Sequence, residues 1–146
     1  IAGITGNAEV DLSRRGLIAM CADNGVVEEG VTQTGQEVTA IVAENFLKYD
    51  TSVGVMCKQN HAEIFPVDMG MVTDTKVRTD HKIAYGTQNM TKGPAMTREQ
   101  AVKGLEAGID MVRELNDKGY RILATGEMGI GNTTTSSAVA SVLAQV

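Results

Sequence analysis

Residues 120–135 read YRILATGEMGIGNTTT, and this stretch decides which fold the chain can adopt. Its first six residues combine apolar and β-branched side chains, which is typical of a buried strand. The glycines that follow give the backbone the freedom to turn, and beyond them the apolar residues return at helical spacing. We therefore predict a strand over 120–125, a turn over 126–132 and a helix over 133–145.

The same order of elements begins earlier in the chain. Residues 16–22 form a short apolar run that ends at the turn sequence Asp23-Asn24-Gly25. Such a run is typical of a strand buried in a parallel sheet. Apolar residues then recur at helical spacing over 37–47. We predict a strand followed by a loop and a helix.

A second repetition of this order follows. Thr51 or Ser52 can cap a short helix over 53–57, because a hydroxyl oxygen accepts a hydrogen bond from the first helical turn. Residues 62–70 then have the pattern of another strand, although Pro66 lowers the strand propensity of this run. The sequence predicts a second strand here.

The clearest helix signal begins at Thr97, where Gln100 occupies the capping-box position. Lys118 and Gly119 supply the cation and the glycine that commonly end a helix. Because strands and helices alternate, we predict an α/β fold, a Rossmann-like parallel sheet with helices on both faces. Residues 71–95 show no period, and a loop of about 25 residues is usually functional or mobile.

Charge and composition exclude several classes of protein. The formal net charge is -5 and the 13 Lys and Arg residues are scattered, so we expect no nucleic-acid partner. No apolar run approaches the roughly 20 residues that span a bilayer, so we expect a soluble, cytoplasmic protein without membrane contact. We interpret Cys21 and Cys57 as free buried thiols. The isolated His61 and His81 predict no metal site.

The glycine-rich turn is suited to bind phosphate, because backbone N–H groups and a helix dipole converge there. It differs from a P-loop in that Asn132 takes the place of the lysine, which argues against nucleoside triphosphate hydrolysis. It also differs from G-x-G-x-x-G, since Thr134 takes the place of the third glycine, which argues against dinucleotide binding. The alternative is a plain strand-to-helix turn with a threonine cap.

Further polar residues follow the predicted strands at the edge where parallel sheets bind ligands. The Glu127 carboxylate can bind ribose hydroxyls or face a cationic ring there, or it can remain solvated beside the helix start. The segment after the first strand leaves it at the same edge, so Asp23, Thr32, Gln33 and Gln36 can all face one pocket, the alternative being simple turn chemistry at Asn24-Gly25. We interpret residues 85–96 as substrate-facing because of their polar amides, the alternative being a mobile surface loop.

Four blocks of the sequence closely resemble, in order and spacing, the family of nicotinate mononucleotide:5,6-dimethylbenzimidazole phosphoribosyltransferases. The resemblance covers nearly the whole chain, and its most specific block is the glycine-rich turn. Family members often have His in place of Asn24 and Arg in place of Gln88. The blocks are ADNGVVEEGVT at 22–32, QEVT at 36–39, GTQN at 86–89 with GPAM at 93–96, and GEMGIGNTT at 126–134.

The resemblance implies a homodimeric enzyme of cobalamin biosynthesis that uses no cofactor. Such an enzyme transfers ribose 5-phosphate from nicotinate mononucleotide to 5,6-dimethylbenzimidazole and gives α-ribazole 5'-phosphate and nicotinate. The leaving group is already a cationic pyridinium, so the enzyme chiefly positions two flat rings around an oxocarbenium-like centre. The alternatives are a non-catalytic nucleotide-binding module and a P-loop-like kinase or ATPase, which Asn132 disfavours.

The same resemblance assigns parts of the site. Glu127 and Gly129 belong to the nicotinate mononucleotide site, with the helix start at 131–133 near the phosphate, while Thr32 borders the benzimidazole pocket. The predicted substrate-binding residues are Asp23, Thr32, Gln36, Gln88, Asn89, Glu127, Met128, Gly129, Gly131, Asn132 and Thr133.

The two ends of the sequence indicate a fragment, with residues 1–146 as the core part of the domain. Ile1 is not Met, and Val146 falls within a helical pattern. The resemblance implies that a helical segment precedes Ile1 and that the general base, a glutamate, lies beyond Val146. We therefore predict no catalytic residue in this chain and expect the fragment alone to be inactive.

Overall fold

Three parallel strands form the centre of the computed structural model, which describes residues 1–145. The middle strand β1 (Arg15–Ala22) pairs with β2 (Ala62–Gly70) on one side and with β3 (Ile122–Met128) on the other. In this register Met20 lies opposite Val67 of β2 and Glu127 of β3. The carboxyl ends of all three strands therefore meet at one edge, as the sequence predicts.

Helices cover both faces of this sheet. Successive side chains of a strand point to opposite faces. Accordingly, Ala19 and Cys21 pack in one core cluster with Phe46 of α2, while Ile18 packs with Met111 of α4 in another. The predicted α/β fold with helices on both faces is confirmed. The helices are α1 (Ala2–Thr5), α2 (Glu37–Leu47), α3 (Ser52–Gln59), α4 (Arg98–Asp117) and α5 (Asn132–Ala144), with a 3-10 helix at Gly25–Glu29.

The helix starts that the sequence predicts from capping residues are confirmed. The Thr51 hydroxyl accepts a hydrogen bond from the Gly54 N–H at 3.0 Å, at the start of α3. At the start of α4 the Gln100 N–H donates to Thr97 Oγ1 (3.1 Å), and the Thr97 N–H donates to Gln100 Oε1 (2.8 Å). These caps depend on neighbours in sequence, which is why sequence alone locates them.

The strand β3 differs from its prediction at both ends. It begins at Ile122 and continues through Gly126 and Glu127 to Met128, where the sequence predicts a turn. Pairing with β1, which extends to Cys21 opposite Met128, keeps this segment extended. The turn is consequently shortened to residues 129–131, and Glu127 lies within the strand rather than after it.

Pro66 is accommodated inside β2 because its nitrogen faces away from β1. The Asp68 N–H donates to the Arg78 carbonyl oxygen at 2.8 Å, on the side of β2 opposite to β1. Residues two apart in a strand direct their N–H groups to the same side. The missing N–H of Pro66 therefore removes no hydrogen bond to β1.

Candidate functional site

A cavity of about 250 Å³ lies at the carboxyl edge of the sheet. It is bounded by the turn after β3, the start of α5 and the segment after the 3-10 helix. Six of the predicted substrate-binding residues line it, namely Thr32, Met128, Gly129, Gly131, Asn132 and Thr133. Its other lining residues are Val31, Thr34, Ile130 and Thr134. The fold thus brings residues about a hundred positions apart around one space.

Two glycines of the turn are unsuited to replacement, one for lack of space and the other because of its backbone conformation. A Cβ atom at Gly129 would lie 2.2 Å from the carbonyl oxygen of Ala22, which is far inside van der Waals contact. Gly131 has φ +87° and is the N-cap residue of α5, a left-handed conformation that favours glycine. The turn therefore packs directly on the end of β1.

Glu127 is held across the turn by Asn132, the residue in the place of the P-loop lysine. Asn132 Nδ2 lies 2.5 Å from both carboxylate oxygens of Glu127, and the Thr133 hydroxyl donates to Asn132 Oδ1 at 3.1 Å. The carboxylate is exposed and points across the start of α5. Glu127 does not line the cavity itself, but this arrangement holds its negative group next to Asn132, which does, beside the positive end of a helix.

The start of α5 has no side-chain cap within the described chain. The first-turn N–H groups of a helix otherwise need partners from side chains, water or a ligand. Because Thr133 and Thr134 of this first turn line the cavity, the helix end faces its interior. Such a helix start is suited to bind a phosphate group.

Residues that the sequence did not single out for the site hold the turn in place. Ile130 donates its N–H to the buried hydroxyl oxygen of Thr39 at 3.1 Å and accepts a hydrogen bond from Asn24 Nδ2 at 3.1 Å. Thr135 donates its hydroxyl to Asn24 Oδ1 at 3.0 Å. A polar residue such as Thr39 on the buried face of a predicted helix is the one signal that points to this role.

Thr32 lines the side of the cavity opposite the turn, and Gln36 lies close by. The Thr32 hydroxyl donates to the Thr34 carbonyl oxygen at 2.8 Å. Gln36 Nε2 donates to the carbonyl oxygen of Asn24 at 3.1 Å, which holds the start of α2 against the end of β1. Gln36 therefore adjoins the site without lining the cavity.

Asp23 lies outside this cavity and is fully buried. Its Oδ2 accepts from the Val72 N–H at 2.8 Å, and its backbone bonds to Gly70 and Thr87. Oδ1 is also buried and has no hydrogen-bond partner among residues 1–145. In this structure Asp23 ties the end of β1 to the segment after β2, so its predicted contact with substrate stays a prediction.

Gln88 and Asn89 also lie away from the cavity. Gln88 borders a separate pocket of about 240 Å³ with Met69, Ile83 and Met96. Asn89 is buried and donates to Glu29 Oε1 at 2.6 Å. This contact lowers the pKa of the Glu29 carboxyl below its usual value. The loop is thereby attached to the 3-10 helix.

Other features of the described chain bear on its chemistry. Within residues 1–145, no group of three His, Cys, Asp or Glu side chains is placed to hold a metal ion. None of the helices described there is long and apolar enough to cross a bilayer. Cys21 and Cys57 are free, and burial, followed by the nearby Asp68 charge, raises the pKa of the Cys21 thiol to about 12. The Cys21 thiol therefore stays protonated at neutral pH.

The fold and the cavity define a class, the parallel α/β proteins with a glycine-rich turn between a strand and a helix at the carboxyl edge of the sheet. A family model described as a phosphoribosyltransferase matches residues 1–146, and the chain belongs to this family.

Relatives that share one name, nicotinate-nucleotide–dimethylbenzimidazole phosphoribosyltransferase, support this assignment. The nicotinate-nucleotide–dimethylbenzimidazole phosphoribosyltransferase of Clostridium tetani is 48% identical over 148 residues, which cover 100% of this chain and 41% of the relative. The protein of that name from Ruminiclostridium cellulolyticum is 50% identical over 145 residues, 98% of this chain and 41% of the relative. The chain thus spans about two fifths of the length of these relatives.

Solved structures agree with the fold. The crystal structure of CobT from Thermus thermophilus matches with a TM-score of 0.90 and 34% identity. The match covers 99% of this chain and 44% of the Thermus chain. A structure of the nicotinate-nucleotide–dimethylbenzimidazole phosphoribosyltransferase from the same organism matches with the same score and identity.

Proposed function

We propose that the complete protein transfers ribose 5-phosphate from nicotinate mononucleotide to 5,6-dimethylbenzimidazole. The products are α-ribazole 5'-phosphate and nicotinate, which places the reaction in assembly of the cobalamin nucleotide loop. The names of the relatives support the choice of substrates. The observation that carries the proposal is the cavity in which Thr32 faces the glycine-rich turn and the uncapped start of α5.

The donor nucleotide occupies the side of the cavity formed by β3 and α5. Its phosphate binds the first-turn N–H groups of α5 near Asn132 and Thr133, where backbone donors and the helix dipole favour an anion. The Glu127 carboxylate, fixed by Asn132, faces the ribose or the cationic pyridinium. A negative group there also stabilises the positive charge that develops at the anomeric carbon.

The acceptor base occupies the side formed by the segment after the 3-10 helix. Val31 gives this side apolar surface, and Thr32 and Thr34 give it polar groups, while Met128 and Ile130 add apolar surface from the β3 side. An apolar lining with few polar groups suits a flat aromatic ring. In this arrangement the acceptor nitrogen faces the anomeric carbon from the side opposite to the departing nicotinate, which inverts that carbon.

The acceptor must also lose a proton, and we assign this step to a glutamate outside the chain. Glu127 is an unsuitable base because both of its oxygens are already bound by Asn132 Nδ2. We propose that residues 1–146 are the core part of the domain, that a helical segment precedes them and that a C-terminal part completes the site. The reaction as proposed requires no metal and no cofactor, since the ring nitrogen of the leaving nicotinate becomes neutral when its bond to the anomeric carbon breaks.

Glu127→Gln in the full-length protein tests this assignment. We expect isothermal titration to show binding of nicotinate mononucleotide weakened about 10-fold or more, because a neutral amide no longer complements the cationic ring. Glu106→Gln is the matched control, since this exposed glutamate lies on α4 and should leave binding unchanged.

Nicotinate release is assayed alongside binding. Binding of the nucleotide without release in the full-length protein would favour the alternative, a non-catalytic nucleotide-binding module. Equal binding by Glu127→Gln and the unaltered protein would contradict the proposed role of Glu127.

We further propose a homodimer that works in the cytoplasm. Exposed apolar side chains along α4, at Leu105, Ile109 and Val112, support a covered face in the assembly. The two free cysteines are compatible with a reducing compartment. Sedimentation equilibrium of the complete protein should give twice the chain mass; the mass of a single chain would contradict the dimer.

A further inference from the structure

Asn24 connects three segments at the carboxyl edge of the sheet. Its Nδ2 donates to the Ile130 carbonyl oxygen at 3.1 Å, and its Oδ1 accepts from the Thr135 hydroxyl at 3.0 Å. Its own carbonyl oxygen accepts from Gln36 Nε2 at 3.1 Å. Asn24 alone thus bonds to the turn after β3, to the first turn of α5 and to the N-cap residue of α2.

The orientation of the Asn24 amide follows from these partners. The Ile130 carbonyl oxygen only accepts hydrogen bonds, so the amide nitrogen must face it. The amide oxygen then faces the Thr135 hydroxyl, which can donate. Asparagine is suited to this position because it presents one donor and one acceptor on a short side chain.

The turn also passes close to Asn24. A Cβ atom at Gly129 would lie 3.0 Å from Asn24 Nδ2, and one at Gly131 would lie 3.4 Å from Asn24 Cβ. The turn therefore has little space to shift towards β1 while Asn24 is in place. Asn24 itself does not line the cavity, so it can affect a ligand only through the residues it bonds to, of which Ile130 lines the cavity.

We propose that Asn24 is a positioning residue for the transfer reaction, one that fixes the donor side of the cavity relative to the acceptor side. This inference rests on the proposed function. Its side chain holds the turn and α5, which bind the donor, and its backbone holds Gln36, which begins the acceptor side. A small displacement between two reacting groups lowers the rate strongly, so Asn24 acts on the chemical step through geometry.

The test uses the full-length protein with Asn24→Ala, Thr135→Val and Thr135→Ser. We expect Asn24→Ala to lower kcat/KM about 10- to 100-fold, mostly through kcat, in protein that remains folded at the assay temperature. Thr135→Val should lower it less, because Asn24 keeps its bond to Ile130 while only the bonds of the Thr135 hydroxyl, to Asn24 Oδ1 and the Gly131 carbonyl oxygen, are lost. Thr135→Ser should restore kcat/KM because the hydroxyl returns. The double variant that combines Asn24→Ala with Thr135→Val should have a kcat/KM no lower than that of Asn24→Ala, since both changes remove the bond between Asn24 Oδ1 and the Thr135 hydroxyl.

Asn116→Ala is the matched control. Asn116 also bonds through its side chain, to Arg121 Nη1 at 2.8 Å, but it lies at the opposite edge of the sheet, at the end of α4. A merely structural asparagine should lower the melting temperature and leave kcat/KM within about twofold. The positioning role is overturned if folded Asn24→Ala, like Asn116→Ala, keeps kcat/KM within about twofold. It is also overturned if the reductions of kcat/KM in the two single variants add up in the double variant.

Amide hydrogen exchange separates this inference from the proposed function. We expect exchange at residues 129–132 to become faster in Asn24→Ala and to remain unchanged in Asn116→Ala. If the unaltered protein releases no nicotinate, the proposed function fails. Faster exchange in Asn24→Ala would still show that Asn24 holds the turn in place. If exchange at the turn is unchanged in Asn24→Ala, the inference fails whatever the activity.

Discussion

The helices α4 and α5 begin in opposite ways. At the start of α4, backbone N–H groups find partners locally, because Thr97 and Gln100 each bond to the other's backbone. Further along this helix the side chains of Ala107, Met111 and Leu115 are buried. The start of α5 has a left-handed glycine and no side-chain cap, and none of residues 132–144 is buried. The N–H groups of a capped helix start have partners within the helix, whereas an uncapped start keeps N–H groups that a ligand can bind.

The contrast extends to what holds each helix start in place. The cap of α4 involves residues within four positions of each other. The start of α5 is instead positioned by Asn24, which follows β1, and by Thr39 of α2. A local cap forms wherever the helix forms. The start of α5, in contrast, is correct only when three distant segments are already assembled, and this dependence makes the site sensitive to single substitutions.

The largest effect should follow from adding one methyl group to each region. Gly129→Ala should reduce kcat/KM at least about 100-fold and cost about 1–3 kcal/mol of stability, because the new Cβ would overlap the Ala22 carbonyl oxygen. Gly108→Ala within α4 meets no atom within 4 Å and should stabilise the protein by about 0.5–1 kcal/mol. Urea unfolding and steady-state kinetics measure both. Equal stabilities would show that the turn can move away from β1, against the proposed tight packing.

A smaller effect should come from removing the ligand's phosphate. Nicotinate riboside, which lacks the phosphate, should bind the full-length protein about 10- to 100-fold more weakly than nicotinate mononucleotide, because charge-assisted hydrogen bonds to the α5 start are lost. Titration calorimetry gives both dissociation constants. Similar constants would mean that the open helix start does not bind the phosphate, and the contrast between the two helices would lose its functional meaning.

The smallest effect is expected at the cap of α4. Thr97→Ala should lower the free energy of unfolding by about 1 kcal/mol, because the Gln100 N–H loses its partner. Thr97→Ser keeps a capping hydroxyl and should restore most of this stability. Activity should stay within about twofold of the unaltered protein, since this helix start does not border the cavity. A large fall in kcat/KM with little change in stability would show that α4 also supports the reaction.

Local signals account for what the sequence predicts well. The bounds of α2 and β2 and the caps of α3 and α4 agree with the prediction because apolar periodicity and capping residues act over a few positions. Six of the predicted site residues meet around the cavity because a glycine-rich turn after a parallel strand can lie only at the carboxyl edge. Glu127 lies next to the cavity without lining it, held by Asn132.

The sequence misplaces what depends on pairing between distant segments. Gly126 and Glu127 have low strand propensity, but β1 keeps them extended. Beside Asp23 the register between β1 and β2 shifts after Cys21, and such an irregularity redirects the side chains that follow. Asn89 is drawn away from the cavity by Glu29, a partner 60 positions earlier.

The sequence by itself determined the alternation of strands and helices, the family and the turn that carries the site. These depend on periodicity, on caps and on a motif, all of which are complete within a few consecutive residues. Only the tertiary structure decided which polar residues reach the cavity and which hold it. A side chain's direction after a strand is set by register and by partners in other segments, and Asn24, with its three partners at positions 36, 130 and 135, shows this directly.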